Sequence, residues 1–224
     1  MKDVHLILDF DSTFVTVESL DLLAERALRS AADRFAIGRQ VQDITRLGME
    51  GKIPFSESLS RRLRLFRAHR TDVDAVAQEL SGKISPSVER EADWIRTNAD
   101  RIHIVSGGFQ EMIRPVVEPF GIQHVHANRF VYDDAGFVIG ADETTPFAHD
   151  HGKATALRAL DLPGIVCVIG DGYTDYEMKS LGGAHHFLAF TENVSRDSVI
   201  ALADRVISDF AETRNFTKYL PKDH

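Results

Sequence analysis

The sequence predicts an α/β protein in which a parallel β-sheet is covered by helices on both faces, with a small helical insert after the first strand. Two observations lead to this prediction. Short apolar runs that are typical of buried strands alternate with segments of helical periodicity along most of the chain. One long early segment breaks the alternation, because it has helical spacing and no strand.

Four apolar runs are the predicted strands, at residues 4–8, 102–105, 165–169 and 186–190. The first three are followed closely by Asp9, Ser106 and Asp171. Ligands bind beyond the carboxyl ends of the strands in open parallel sheets. We therefore expect these three side chains to converge on one edge of the sheet, although they are far apart in sequence.

Three helices are predicted between the strands, at residues 85–94, 108–117 and 153–160. The first has a serine at its N-cap and a proline at its first position, which is a typical helix start. Two apolar triplets within residues 129–139 flank a turn-like spacer, so that segment is predicted to form a β-hairpin.

The segment from Glu18 to about Arg70 carries apolar residues at helical spacing. We interpret it as a helical cap, residues 15–74, inserted in a core formed by residues 1–14 and 75–224.

Composition excludes several classes of protein. A net charge of -8 argues against a general nucleic-acid binder, which needs a basic surface. The single cysteine, Cys167, rules out a disulfide framework within one chain and lies in an apolar run, so we expect a buried thiol. No apolar stretch reaches membrane-spanning length and none resembles a secretion signal. We expect a cytoplasmic protein whose partner is a small molecule, with no nucleic acid and no membrane; the sequence does not define the oligomeric state.

Two acidic motifs follow predicted strands. Asp9 and Asp11 lie two residues apart after the first strand, and Asp171 and Asp175 follow the strand at 165–169. One carboxylate of the first pair is suited to nucleophilic attack and the other to proton transfer. Four carboxylates at one edge require a cation, and oxygen ligands without thiolates favour Mg²⁺ over Zn²⁺.

A second polar segment, Ser106-Gly107-Gly108, follows a predicted strand and precedes a predicted helix. A hydroxyl, slim backbone amides and the positive end of a helix can together bind a phosphate. Lys153, at the start of another predicted helix, could neutralise phosphate and carboxylate charge. A single lysine is more often a surface charge, and only its order between the two acidic motifs favours a role in the site.

These segments together resemble the haloacid dehalogenase superfamily. Its phosphatases carry an Asp-x-Asp motif, a later Ser or Thr, a Lys, and a Gly-Asp-x-x-x-Asp motif, and all four occur here in that order. The resemblance implies a Rossmann-like core and a phosphoaspartate formed on Asp9, with Asp11 as general acid and base. It also implies an Mg²⁺ ion held by Asp9, Asp171 and the backbone carbonyl of Asp11, supported by Asp175.

Within the superfamily the sequence is similar to the phosphoserine phosphatase family. The similarity rests on residues 9–14, 49–52 and 105–109, together with Glu18, Phe55 and Arg62. It implies L-phosphoserine as substrate, with Glu18 binding the ammonium group and Arg62 the carboxylate. Met49 and Phe55 would form the pocket walls, and Ser106, Gly107, Gly108 and Lys153 would bind the phosphate.

The sequence departs from the family pattern at two points. The interval between Lys153 and Asp171 is short, so Lys153 is assigned from motif order, and Thr174 stands where many relatives have Asn. Five arginines fall between residues 61 and 70, and on a helix they would spread around the cylinder. We interpret them as an exposed basic face rather than an RNA site, except for Arg62.

Two other functions remain open from the sequence. A related phosphatase could act on another small phosphomonoester, such as a phosphoamine or a methylthio-sugar salvage intermediate. A non-catalytic binding protein could keep the same fold, but the complete set of four acids argues against it.

Overall fold

The fold is organised around a six-stranded, fully parallel sheet, as seen in a computed structural model that describes residues 4–218. The strand order is β3-β2-β1-β6-β7-β8, and β4 and β5 form a separate antiparallel pair. The strands are β1 (Val4–Leu8), β2 (Ile102–Phe109), β3 (His124–Asn128), β4 (Phe130–Tyr132), β5 (Val138–Ala141), β6 (Ile165–Gly170), β7 (His186–Phe190) and β8 (Arg205–Ile207). The predicted fold class is confirmed.

Helices connect the strands and cover the sheet. They are α1 (Ser19–Ala27), α2 (Arg34–Met49), α3 (Phe55–Leu63), α4 (Arg70–Leu80), α5 (Pro86–Arg90), α6 (Ala92–Thr97), α7 (Gln110–Val117), α8 (Gly152–Ala159), α9 (Tyr173–Ser180), α10 (Asp197–Ile200) and α11 (Ala211–Lys218). None of the helices within residues 4–218 has both the length and the apolar character needed to cross a membrane.

Both faces of the sheet are buried under apolar clusters. Successive side chains of a strand point to opposite faces, so neighbouring residues belong to different clusters. Leu6 and Cys167 belong to the larger apolar cluster on one face, and Ile7 and Val168 belong to the cluster on the other. The thiol of Cys167 is buried, as predicted. Burial on both faces explains why the central strands are mostly apolar along their length instead of alternating between apolar and polar residues.

Six helices, α1 to α6, lie between β1 and β2, and the predicted insert covers α1 to α3 and the start of α4. Ala24 of α1 and Leu28, which follows that helix, form a small apolar cluster with Val41 of α2, and this cluster is separate from the two clusters on the sheet. The predicted boundary of the insert at residue 74 falls inside α4, which continues without interruption to Leu80. Helix α4 packs against both α1 and α7, so it connects the helical insert to the core.

The predicted hairpin is present and lies against the insert. The amide of Arg70 donates to the carbonyl of Gly136 at 2.9 Å, and the amide of Val138 donates to the carbonyl of Ala68 at 2.9 Å. These bonds join the chain at the end of the predicted insert to the hairpin formed by β4 and β5.

Two predicted helices differ from those in the structure, one in its start and one in its continuity. Strand β2 continues through the Ser-Gly-Gly segment to Phe109, which pairs with Asn128 after an irregularity in register, so α7 begins at Gln110 rather than at residue 108. The predicted helix over residues 85–94 is two short helices that meet at Glu91. Ser85 is the N-cap residue of α5, as predicted, but its hydroxyl donates to the carbonyl of Thr13 at 2.7 Å and makes no capping bond to the helix. Pairing with distant strands and turns overrides the local preference in both places.

Candidate active site

A cavity opens beyond the carboxyl ends of the central strands, between the sheet and helices α1 to α3. Leu20 and Phe109 contribute to its wall. The structure brings together in this one cavity the residues that the sequence assigns to catalysis, phosphate binding and substrate binding, which are Asp9, Asp11, Glu18, Met49, Phe55, Arg62, Ser106, Gly107, Gly108 and Lys153.

Asp9 lies at the start of a tight turn that follows β1. Its amide donates to the carbonyl of Ile169 on β6 at 2.9 Å, and its carboxylate accepts from the amide of Phe10 at 2.7 Å. Ser12 has a φ of 53°, the left-handed region that non-glycine residues seldom adopt. Asp9 is only 3% exposed, so its carboxylate has little water around it and depends on the protein for its partners.

Lys153 is a cationic partner of both Asp9 and Asp175. From the first turn of α8 its Nζ lies 2.8 Å from the Oδ1 atoms of both Asp9 and Asp175. Burial by itself would lower the pKa of Lys153, but the carboxylates of Asp175 and Asp9 outweigh burial and raise the pKa overall. Lys153 is therefore charged and held in the site, although the sequence assigns it only from motif order.

Three buried carboxylates offer a site for a hard cation. One oxygen each of Asp9, Asp171 and Asp175 lies within 4.8 Å of the others. Thr13 donates to Asp171 at 3.1 Å, and burial together with the nearby Asp9 raises the pKa of Asp175 to about 7. Oxygen ligands at this spacing fit Mg²⁺, whose charge would favour the ionised form of every member.

The side chain of Asp11 lies outside this carboxylate group. Its Oδ1 accepts a hydrogen bond from the amide of Ser19 at 2.8 Å. Burial raises the pKa of Asp11 well above its usual range, and the negative charges of Glu18 and Asp9 add to the effect. The turn thus places two aspartates of different character in one cavity, one paired with a lysine and one that favours its protonated form.

Glycines let the helical insert approach the sheet. A Cβ atom at Gly107 would lie 2.6 Å from the ring of Phe55, and a Cβ atom at Gly108 would lie 3.2 Å from the carboxylate of Asp11. The amide of Gly108 donates to the Ser106 hydroxyl oxygen at 3.0 Å, which fixes the position of that hydroxyl. Close backbone approach at these two positions is the physical reason for the glycine pair.

Arg62 and Glu18 provide charges on the side of the cavity away from β1. Arg62 is 4% exposed and is the only buried member of the five arginines between residues 61 and 70. It donates to the Ser58 carbonyl at 3.3 Å and to the Thr45 hydroxyl at 3.2 Å, and it forms no ion pair with any of residues 4–218. Glu18 accepts from the Ser12 hydroxyl at 2.8 Å.

Sequence reasoning missed Arg196. This arginine follows β7 and makes ion pairs with the carboxylates of Asp171 and Glu18, the second at 3.7 Å, and its side chain is only 9% exposed. Nearby, Asn193 donates to the Ser12 carbonyl at 3.0 Å and so holds the turn after β1. The expectation that ligands meet the carboxyl ends of strands, applied to β7 as well, would have indicated this segment.

The fold and the site define an α/β protein in which three buried carboxylates and a lysine meet at the carboxyl edge of a parallel sheet. A family model for haloacid dehalogenase-like hydrolases matches residues 6–179. The chain belongs to the haloacid dehalogenase-like hydrolase family and is a phosphoric monoester hydrolase. The superfamily resemblance drawn from the motifs is confirmed.

Individual relatives agree with this assignment. The chain is 32% identical over 212 residues to chloroplastic phosphoserine phosphatase of Arabidopsis thaliana, covering 92% of this chain and 69% of the relative. It is 30% identical over 209 residues to phosphoserine phosphatase of Homo sapiens, covering 91% and 88%. A crystal structure of a phosphoserine phosphohydrolase-like protein from Francisella tularensis superposes with a TM-score of 0.85 at 28% identity, covering 95% and 98%.

Proposed function

We propose that this enzyme is an Mg²⁺-dependent phosphatase that hydrolyses L-phosphoserine to L-serine and phosphate through a phosphoaspartate on Asp9. The observation that best supports this substrate concerns Arg62. Its guanidinium is buried, lies in the same cavity as Asp9 and has no ion-pair partner in the described part of the chain. A buried charge without a counterion is costly. An anionic group of the substrate, in addition to its phosphate, would remove that cost.

The two charged groups on this side of the cavity match the amino-acid part of phosphoserine. Arg62 would bind the carboxylate, for which a guanidinium is well suited, and Glu18 would bind the ammonium group. Met49 and Phe55 also line the cavity and would form apolar walls around the short side chain. The names of the relatives from Arabidopsis thaliana and Homo sapiens support the same substrate.

The phosphate would lie toward the sheet. Ser106, Gly107, Gly108 and Lys153 would contact its oxygens and stabilise charge in the transition state. Asp9, Asp171, Asp175 and the backbone carbonyl of Asp11 would hold the Mg²⁺ ion, which when bound would offset the repulsion between the phosphate and the carboxylates.

The reaction would proceed in two steps. An Asp9 carboxylate oxygen attacks phosphorus, the bond from phosphorus to the serine oxygen breaks, and Asp11 donates a proton to that oxygen. A water molecule then attacks the phosphorus of the phosphoaspartate while Asp11 takes its proton, which releases phosphate and restores Asp9. The protonated state that its surroundings favour for Asp11 supports its role as the acid of the first step.

A substrate panel tests this function. We expect L-phosphoserine to give the highest kcat/KM among L-phosphoserine, O-phosphoethanolamine, 3-phosphooxypropanoate and p-nitrophenyl phosphate, measured as phosphate release. Chelation of Mg²⁺ by EDTA should abolish release, and added Mg²⁺ should restore it. Much faster hydrolysis of another phosphomonoester would replace the substrate, and full activity in EDTA would remove the metal.

Asp11→Asn should affect a poor leaving group far more than a good one. A serine alkoxide needs the proton from Asp11, so first-turnover cleavage of phosphoserine should slow by about 10²–10⁴-fold. An aryl phosphate needs this proton much less, so p-nitrophenyl phosphate should still give a burst of p-nitrophenol, followed by slow turnover because Asp11 also activates water. Rapid-quench measurement of the first turnover separates the two steps, and equal first-turnover losses on both substrates would remove Asp11 from the general-acid role.

A further inference from the structure

We propose that Asp21 and Thr45 are positioning residues that hold the Arg62 guanidinium in the orientation that binds the substrate carboxylate. The inference rests on the proposed function, because it concerns how that substrate is recognised. Asp21, Thr45 and Arg62 lie on α1, α2 and α3, three successive helices of the insert. None of the sequence motifs indicates Asp21 or Thr45.

A chain of hydrogen bonds joins the three side chains. The Thr45 hydroxyl donates to Asp21 Oδ1 at 2.7 Å, and its oxygen accepts from Arg62 Nη1 at 3.2 Å. The carbonyl of Val41 is also within reach of the hydroxyl at 3.1 Å. A hydroxyl has one hydrogen, and the closer, charged carboxylate is the stronger acceptor. Asp21 therefore directs the hydroxyl hydrogen away from Arg62 and leaves a lone pair toward the guanidinium.

The anchoring leaves most of the guanidinium available for a ligand. Nε donates to the Ser58 carbonyl at 3.3 Å and one Nη1 hydrogen donates to Thr45, so two of the five N–H groups have acceptors among residues 4–218 and three have none there. Thr45 is 3% exposed and Arg62 is 4% exposed, so water competes little for the anchoring bonds. Two fixed contacts on a planar group set its plane, which a carboxylate needs for paired hydrogen bonds.

The charge of Asp21 changes with pH close to neutrality. Burial raises the pKa of Asp21 to about 6, helped by the charges of Glu18 and Glu25, while the Thr45 hydrogen bond and Arg62 oppose the shift. Asp21 is thus ionised at neutral pH, and its charge lies one hydroxyl away from Arg62. Asp21→Asn keeps the shape and removes the charge, so it separates orientation by a carboxylate from simple packing.

The test compares L-phosphoserine with O-phosphoethanolamine, which has the phosphate and the ammonium group but lacks the carboxylate. Thr45→Val removes the hydroxyl at nearly constant volume, and we expect it to lower kcat/KM for phosphoserine by about 10-fold to 100-fold, mainly through KM. Asp21→Asn should cause a smaller loss of the same kind. Thr45→Ser keeps the hydroxyl and should retain most of the wild-type value.

Hydrolysis of O-phosphoethanolamine should change by less than about threefold in all three variants, which also shows that the variants are folded. Parallel losses on both substrates, or equal losses in Thr45→Val and Thr45→Ser, would show that the pair is merely structural. If wild-type enzyme prefers phosphoserine and Thr45→Val keeps that preference, the positioning role alone is overturned. If wild-type enzyme shows no preference for the carboxylate-bearing substrate, the proposed substrate is wrong and the positioning role is lost with it.

Discussion

Replacing Asp9 by asparagine should lower kcat/KM for every phosphomonoester by about 10⁴-fold or more, the scale of loss when a covalent nucleophile is removed. The amide is a poor nucleophile and a weak ligand for a hard cation, but it is nearly isosteric with the carboxylate. Lys153 keeps its second partner, Asp175, so the fold should persist. Phosphate release with phosphoserine and with p-nitrophenyl phosphate measures the loss, and circular dichroism checks the fold.

Two controls make the Asp9 result specific. Asp93→Asn changes the same group at a fully exposed position on α6 and should keep wild-type activity. Wild-type enzyme quenched in acid during turnover should carry hydroxylamine-labile phosphate on the peptide that contains Asp9. Substantial activity of Asp9→Asn, or label on a different peptide, would contradict the covalent route.

Arg62→Ala and Glu18→Gln should each remove recognition of one substrate group. Loss of one partner of a buried charge pair costs about 2–5 kcal/mol, so kcat/KM for phosphoserine should fall by roughly 30-fold to several thousand-fold in each variant. Arg62→Ala should spare O-phosphoethanolamine, which has no carboxylate. Glu18→Gln should spare 3-phosphooxypropanoate, which has no ammonium group. Steady-state kinetics on the three substrates gives the two patterns.

Arg61→Ala is the matched control for Arg62, because Arg61 lies next to it on α3 but is exposed and pairs only with Glu57 among the described residues. Its kinetics should match wild type within about twofold. Hydrolysis of p-nitrophenyl phosphate should change by less than about tenfold in the Arg62 and Glu18 variants. Equal losses on all substrates would make Arg62 and Glu18 structural residues.

The sequence by itself determined four of the six strands of the sheet, and it predicted most of the residues that line the cavity. Strands buried on both faces are mostly apolar, so the runs at β1, β6 and β7 stand out without any knowledge of their neighbours, although His5 and His186 interrupt the pattern. The polar residues that end such strands must meet at one edge of a parallel sheet. That rule alone indicates Asp9, Ser106 and Asp171, and the order of the motifs adds Lys153.

Only the tertiary structure decided which charges are partners. Thr45 and Arg196 belong to no local pattern, and their contacts are with residues on other elements. The extension of β2 through Ser106 likewise depends on pairing with β3, and local propensity does not predict pairing with a distant strand. Strand patterns arise from the burial of neighbouring residues, so they are visible in the sequence. An ion pair or a hydrogen bond between helices depends on how distant segments pack. Such packing produces no periodic pattern in the sequence.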